Sequence, residues 1–173
     1  METIRIRECG ADDVPAILGM LDSSAEWLVA QGRTEQWGTK PLSQKPKVVE
    51  SVVRYMGEGA AYLAEIGGVP AATLTLTDAP GAYLSHLPPP GEPERYIHWL
   101  ASDRRFKGHG AGSALLAHAA EETRRAGVSL LRVDCYAGAD GKLVRYYESN
   151  GFVRTDTYTA TNNWPGQVLA RRL

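Results

Sequence analysis

The chain is 173 residues long, 43% apolar and 23% charged, which fits one ordinary globular domain over residues 1–173 and excludes a repeat array, a disordered tail or a multi-domain assembly. Nineteen Lys and Arg against 20 Asp and Glu leave a formal charge of -1, so no overall field draws in nucleic acid, and no stretch stays apolar for the length a bilayer demands. The two cysteines, Cys9 and Cys135, match no metal spacing and read as buried small hydrophobes in a reducing compartment. With no apolar run in the opening METIRIRECGADD, the expected location is the cytoplasm.

Thr3 to Glu8 alternates Ile4 and Ile6 with Arg5 and Arg7, the period of a half-buried strand. Asp12 or Asp13 can cap a following helix that carries Ile17, Leu18 and Leu21. A second helical stretch with Trp27, Leu28 and Val29 runs to Gly32. RTEQWGTKPL reads as loop; Pro46 suits the first turn of a helix bearing Val48, Val49, Val52, Val53 and Met56, ended by Gly57 and Gly59. Two apolar-rich runs joined by Gly67-Gly68 predict an antiparallel hairpin, with Leu74 and Leu76 on one face of its second strand and Thr73, Thr75 and Thr77 on the other. The proline-rich HLPPPGEPE reads as a mobile loop. Arg95 to Ser102 returns to strand, Gly108 to Ser113 forms a glycine-rich turn, and Ala114 to Ala126 a helix. Val128 to Tyr136 is a strand, Asp140 can cap a short helix ended by Gly151, and Phe152 to Thr159 and Gln167 to Arg171 are final strands. This order predicts an α/β (α+β) fold: a mixed, mostly antiparallel central sheet of about seven strands with helices on both faces and a parallel crossover in the middle.

Chemistry concentrates in DRRFKGHGAGSALL, between a strand and a helix. Gly108, Gly110 and Gly112 lack Cβ atoms, so several backbone N–H groups can close on one oxyanion cluster at the positive end of the helix behind them. A phosphate-bearing ligand follows. A Walker loop would need Gly-Lys-Ser/Thr, and Gly112 is followed by Ser113-Ala114, so a P-loop is excluded. A dinucleotide fingerprint would need Gly where Ser113 stands; Asp134 lies at the distance of a ribose contact, but the motif comes after an antiparallel hairpin rather than in a first βα unit.

Lys107-x-x-Gly110-x-Gly112, directly after Leu100-Ala101-Ser102, resembles the pyrophosphate-binding signature of the GNAT superfamily of acetyl-CoA-dependent N-acyltransferases. The extra glycine at 108, in Asp-Arg-x-Phe-x-Gly-x-Gly-x-Gly, is similar to a subgroup common in actinobacteria. A second block, Leu143-Val144-Arg145-Tyr146-Tyr147-Glu148-Ser149-Asn150-Gly151-Phe152, resembles the family's Leu-x-x-Tyr-Tyr-x-x-x-Gly-Phe.

The resemblance implies a GNAT-like fold from Ile4 to Leu173 and acetyl-CoA as co-substrate, with no metal. The main chain of Leu100, Ala101 and Ser102 would pair with the pantetheine arm. The amides of Lys107, Gly108, His109, Gly110, Ala111, Gly112 and Ser113 would clasp the pyrophosphate, with Arg104, Arg105 and Lys107 either meeting CoA phosphates or standing as solvated loop charges. Tyr147 would protonate the departing thiolate. Asp140 stands where the family often has an Asn that contacts CoA, and as a helix cap it would need no ligand. A base must free the acceptor's lone pair; His98, Glu65 and water are the candidates. Gln36-Trp37 matches a pair that lines the acceptor site in the subgroup, and a core role for Trp37 is the alternative. The leading function is acetyl transfer to a primary amine of a small molecule. Peptide or protein N-acetylation and a non-catalytic CoA-binding sensor are the alternatives. A homodimer is compatible with either; nucleic acid and membrane are not expected partners.

Overall fold

The computed structural model describes residues 3–173; Met1 and Glu2, the first positions of the expected domain, lie outside the described residues. Seven strands and four α-helices follow in the order β1 (Ile4–Glu8), α1 (Val14–Ala30), α2 (Pro46–Glu58), β2 (Ala60–Ile66), β3 (Val69–Thr77), β4 (Arg95–Ser102), α3 (Ala111–Arg125), β5 (Leu130–Tyr136), α4 (Lys142–Ser149), β6 (Val153–Ala160) and β7 (Trp164–Arg172). The strands hydrogen-bond in the order β1-β2-β3-β4-β5-β7-β6. The pairs β1/β2, β2/β3, β5/β7 and β6/β7 are antiparallel and β4/β5 is parallel, the mixed, mostly antiparallel pattern expected. The chain divides into two units, Met1–Leu76 with His98–Leu116, and Thr77–Ile97 with Ala117–Leu173.

In the first unit, the β2–β3 hairpin turns through Gly67 (φ 58°) and Gly68 (φ 77°), the left-handed geometry that glycine adopts without a Cβ penalty. β3 differs from the alternating expectation: Thr73 and Thr75 are as buried as Leu74, because both faces of the strand are covered. Thr73 satisfies its hydroxyl by donating to the Tyr62 carbonyl at 3.1 Å. α1 is one continuous helix rather than two stretches, since Ile17, Met20, Leu21, Ala25 and Leu28 continue a single buried stripe. Asp13 occupies its N-cap position, as expected, but its side chain makes no capping hydrogen bond to the helix. Its carboxylate accepts from the Gly10 N–H at 2.8 Å and from Arg7 at 2.8 and 3.0 Å, closing the tight turn before the helix. α2 starts at Pro46 as expected but runs through Gly57 to stop at Gly59. Ile17, Leu21, Leu42, Val52, Leu63 and Ala101 belong to one core, against which Trp37 packs.

In the second unit, β4 pairs with β5 through Arg95, Tyr96 and Ile97. β6 and β7 form a hairpin whose turn places Asn162 (φ 61°) and Asn163 (φ 57°) in the left-handed region, where asparagine is tolerated. That turn lets β7 begin at Trp164, three residues before the expected start. The proline-rich segment has no strand or α-helix, as expected, but it is held at its end: Glu94 accepts from Arg132 at 2.6 and 2.8 Å, and Glu92 from Arg172 at 2.5 Å. Leu84, Tyr96, Tyr158 and Val168 form this unit's core cluster.

Candidate functional site

The glycine-rich turn belongs to the first unit. It is prepared upstream by Trp99, whose φ of 51° is unusual for a bulky side chain and breaks the extended run of β4. The indole is pinned there by donating to Ser51 Oγ at 2.8 Å. Leu100, Ala101 and Ser102 follow directly. Ala101 packs in the core, the Ser102 carbonyl accepts from Ser24 Oγ at 3.0 Å, and the Asp103 N–H donates to the Ala71 carbonyl at 2.9 Å. The strand end is thereby anchored on both α1 and β3.

Gly108 (φ 83°) and Gly110 (φ 81°) take left-handed conformations, and a Cβ on either would meet nothing within 4 Å. Backbone geometry rather than crowding demands glycine, and the loop surface beside them is open. Gly112 differs from the expectation of a third turn glycine. α3 begins at Ala111, so Gly112 and Ser113 lie in its first turn. The Ala114 N–H donates to the Gly110 carbonyl at 3.0 Å, so the amides of Ala111 to Ser113 precede the helix ladder, at its positive end. His109 lies across the turn, with Nδ1 3.0 Å from the Phe106 carbonyl, and its own N–H donates to the same oxygen at 3.1 Å.

The structure sorts the three loop cations. Arg105 is neutralised by Asp103, with its guanidinium 2.7 Å from the carboxylate, and the Asp103 carboxyl is held below its ordinary range chiefly by that hydrogen bond. Arg104 lies 3.9 Å from the centroid of the Trp27 ring, and Lys107 Nζ lies 5.5 Å from the same ring. Among the described residues, neither has an anionic partner. The Arg104 Nε is buried without an acceptor, and burial lowers the pKa of that guanidinium. The sequence marks Trp27 only as part of a helix. Nothing in its neighbourhood along the chain signals that a loop 77 residues away will stack two cations on it.

The proposed bases also separate. Glu65 accepts from Arg7 at 3.3 Å, so its carboxylate already serves an ion pair. His98 is buried and stacked on Tyr55, ring centroids 3.8 Å apart.

Tyr147 belongs to the second unit. It is buried, 4% exposed, on the inner face of α4 beside Val144. Its ring meets Tyr146 and Phe152 edge to face at 5.7 and 5.8 Å, and the Phe152 N–H donates to its carbonyl at 3.2 Å, which closes the helix with Gly151 at φ 92°. Among the described residues, its hydroxyl has no hydrogen-bond partner. Burial first, then the neighbouring Cys135, Tyr146 and Asp134, push the phenol well above its ordinary pKa. The Cys135 thiol is pushed up to about 12, and that of Cys9 likewise to about 12, both chiefly by desolvation; Cys135 is buried as expected, whereas Cys9 is only half-buried at the edge of the core. Asp140 corrects a sequence expectation. It sits at φ 65° in the turn before α4, Gly141 occupies the N-cap, and no side chain caps the helix. The Asp140 carbonyl accepts from Arg145, and its exposed carboxylate stands outside the helix.

No helix among the described residues is long and apolar enough to cross a membrane, and no group of three or more His, Cys, Asp or Glu among them could hold a metal ion. In comparison with known proteins, the acetyltransferase (GNAT) family profile matches residues 24–152. An uncharacterized N-acetyltransferase of Bacillus subtilis, YesJ, is 29% identical over 149 residues, covering 82% of this chain and 77% of that protein. The fold superposes on the ribosomal-protein-S18-alanine N-acetyltransferase of Escherichia coli with a TM-score of 0.68, at 18% identity, covering 98% of this chain and 94% of that one. It also superposes on yncA of Salmonella typhimurium, solved with its cofactor acetyl-CoA, with a TM-score of 0.65, at 15% identity, covering 98% and 94%. A glycine turn opening onto a helix N-terminus, a buried phenol in a Tyr-Tyr-x-x-x-Gly-Phe block and a profile match over most of the chain converge: the chain belongs to the acetyltransferase (GNAT) family and is an acetyl-CoA-dependent N-acyltransferase.

Proposed function

We propose that this enzyme transfers the acetyl group of acetyl-CoA to a primary amine of a small molecule by direct attack in a ternary complex. The observation that carries the reading is the loop at Gly108 and Gly110: two left-handed glycines with open space beside them, leading into the first turn of α3. The amides of Gly108, Gly110, Ala111 and Gly112 hold the pyrophosphate, since the Lys107 and His109 N–H groups already donate to the Arg104 and Phe106 carbonyls, and Arg104 and Lys107, without anionic partners among the described residues, supply charge to the CoA phosphates. The main chain of Leu100, Ala101 and Ser102 takes the pantetheine arm as an added strand. Asp140, exposed and engaged through its carbonyl rather than as a helix cap, remains available to CoA. The additional glycine at 108 favours the actinobacterial-type subgroup.

In the reaction the acceptor nitrogen attacks the thioester carbon, the C–N bond forms and the C–S bond breaks. Tyr147 gives its proton to the sulfur and recovers one from solvent. The proton lost from nitrogen goes to His98 or to water, since Glu65 is engaged by Arg7. A backbone N–H near Leu100 stabilises the oxyanion. The protein acts as a single cytoplasmic domain, and a homodimer is compatible with this reading.

Thermal unfolding in acetyl-CoA, CoA and NAD, followed by thiol release against amines, amino acids and peptides, tests the proposal. Acetyl-CoA at a hundred times its Kd should stabilise the fold by about 2.7 kcal/mol, or about 5–10 °C for a chain of this size. Stabilisation by NAD alone would overturn the reading. Turnover of peptides but not of small amines would reassign the acceptor.

A further inference from the structure

The second unit holds a carboxylate for which the acetyl-transfer reading has no use. Asp134, on β5, accepts hydrogen bonds from three phenols brought from three other segments. Tyr83 reaches both of its oxygens at 2.8 and 3.0 Å, Tyr96 one at 2.7 Å and Tyr158 the other at 2.5 Å. No cation among the described residues pairs with it. Arg132, two positions earlier, is held bidentately by Glu94 and does not cancel its charge. The Tyr158 ring, whose hydroxyl meets the carboxylate, lies 6.2 Å from the rings of both Tyr83 and Trp164. Gly166 keeps the Tyr158 ring in place, because a Cβ there would come within 2.1 Å of it.

The phenols differ in kind. Tyr96 is fully buried, and its hydroxyl needs an acceptor on structural grounds alone. Tyr83 is 51% exposed, on a short surface turn, and its hydroxyl straddles both carboxylate oxygens, the place a two-point donor would take. An exposed phenol gains little from such a bond and can leave it. What remains is a carboxylate with no cation partner among the described residues, met by the Tyr96 and Tyr158 hydroxyls, which is chemistry that recognises an ammonium group.

We propose that Asp134, with Tyr83 and Tyr158, forms an acceptor subsite for an ammonium group, so that the preferred substrates are amines carrying a second positive centre. The inference rests on the acetyl-transfer reading and narrows its substrate class. The ammonium held at Asp134 is not the nucleophile: a carboxylate stabilises the protonated form, which has no lone pair to attack with. Asp134 lies within electrostatic range of Tyr147, whose phenol its charge helps keep protonated, so subsite and proton donor occupy the same unit. On binding, the ammonium displaces the Tyr83 hydroxyl and keeps the ring as a wall.

The experiment compares kcat/KM for 1,6-diaminohexane and 1-aminohexane, and measures binding of 1,6-diaminohexane to the CoA complex by calorimetry. A preference of about tenfold for the diamine is expected, the scale of one partly desolvated cation contact, falling to about one in Asp134→Asn. Tyr83→Phe removes the competing hydroxyl at an exposed position while keeping the ring, and should tighten diamine binding a few-fold, about 0.5–1 kcal/mol. A merely structural cluster would not produce that gain. If amines are acetylated without a diamine preference, or Tyr83→Phe leaves diamine binding unchanged or weaker, the subsite is overturned and the transferase reading stands. If the diamine binds through Asp134 but no amine is acetylated, the subsite stands and the transferase reading falls.

Discussion

Replacing Tyr147 by Phe should separate catalysis from folding. The ring is buried, edge-on to Tyr146 and Phe152, and its hydroxyl has no hydrogen-bond partner among the described residues. Tyr147→Phe therefore breaks no internal hydrogen bond and keeps the ring contacts. Stability should stay within about 1 kcal/mol of the parent, or at most about 2–4 °C in Tm. Turnover should behave differently. Loss of a positioned proton donor typically costs about 10²–10⁴ in rate, equivalent to about 2.7–5.5 kcal/mol of barrier. Because burial raises the phenol well above its ordinary pKa, it keeps its proton across the range in which acceptor amines lose theirs. The rise of kcat with pH then belongs to the acceptor or its base, and the variant should retain that rise with a lower plateau. Thiol release at saturating acetyl-CoA, with calorimetric acetyl-CoA Kd and Tm measured in parallel, checks all three. A kcat within about twofold of the parent, a scale well below proton-donor effects, would refute the role of Tyr147.

Glu94→Ala leaves Arg132, 10% exposed in the pair, buried without its partner. The expected cost is about 3–5 kcal/mol, about 6–20 °C in Tm, and Glu94→Leu with Arg132→Met should recover most of it; a single-variant loss below about 1 kcal/mol contradicts the account. The Asp13 carboxyl is held below its ordinary pKa, first by Arg7 and then by the Gly10 N–H. Its contribution is present above the unfolded value and lost as pH falls through the folded one, so Tm should drop more steeply below about pH 4 in the parent than in Asp13→Asn. Parallel curves in acid titrations followed by circular dichroism would remove that pair from the pH response. Gly110→Ala meets no steric obstacle, yet its φ of 81° should cost about 1–2 kcal/mol and weaken acetyl-CoA binding. Unfolding and calorimetry measure both, and an unchanged Tm would show that the loop relaxes freely.

The parts of the site that were legible in the sequence are those encoded by neighbours. Gly67-Gly68 and Gly108-x-Gly110 announce left-handed turns because only glycine enters that region without a Cβ penalty. Tyr147 was found by its spacing from Gly151-Phe152, and the structure buries it at the closing turn of α4. The departures from local expectation are also local. Gly112 looks like a turn residue until α3 is seen to start at Ala111, and Asp140 looks like a cap until Gly141 takes that position. In both, the helix end was decided one to three residues away from where propensity placed it.

By itself, then, the sequence determined the order of strands and helices and the glycine loop, because steric freedom at glycine and hydrophobic period act over a few residues, while Tyr147 was marked only by its place in a block resembling the family's. Only the tertiary structure decided which charges are already satisfied. Arg105 is neutralised by Asp103 while Arg104 rests on Trp27, and Glu65 is engaged by Arg7. It alone gathered Tyr83, Tyr96 and Tyr158 on Asp134. Hydrogen bonds and ion pairs form between groups that folding brings within about 3 Å, whatever their separation along the chain, so no local pattern carries them.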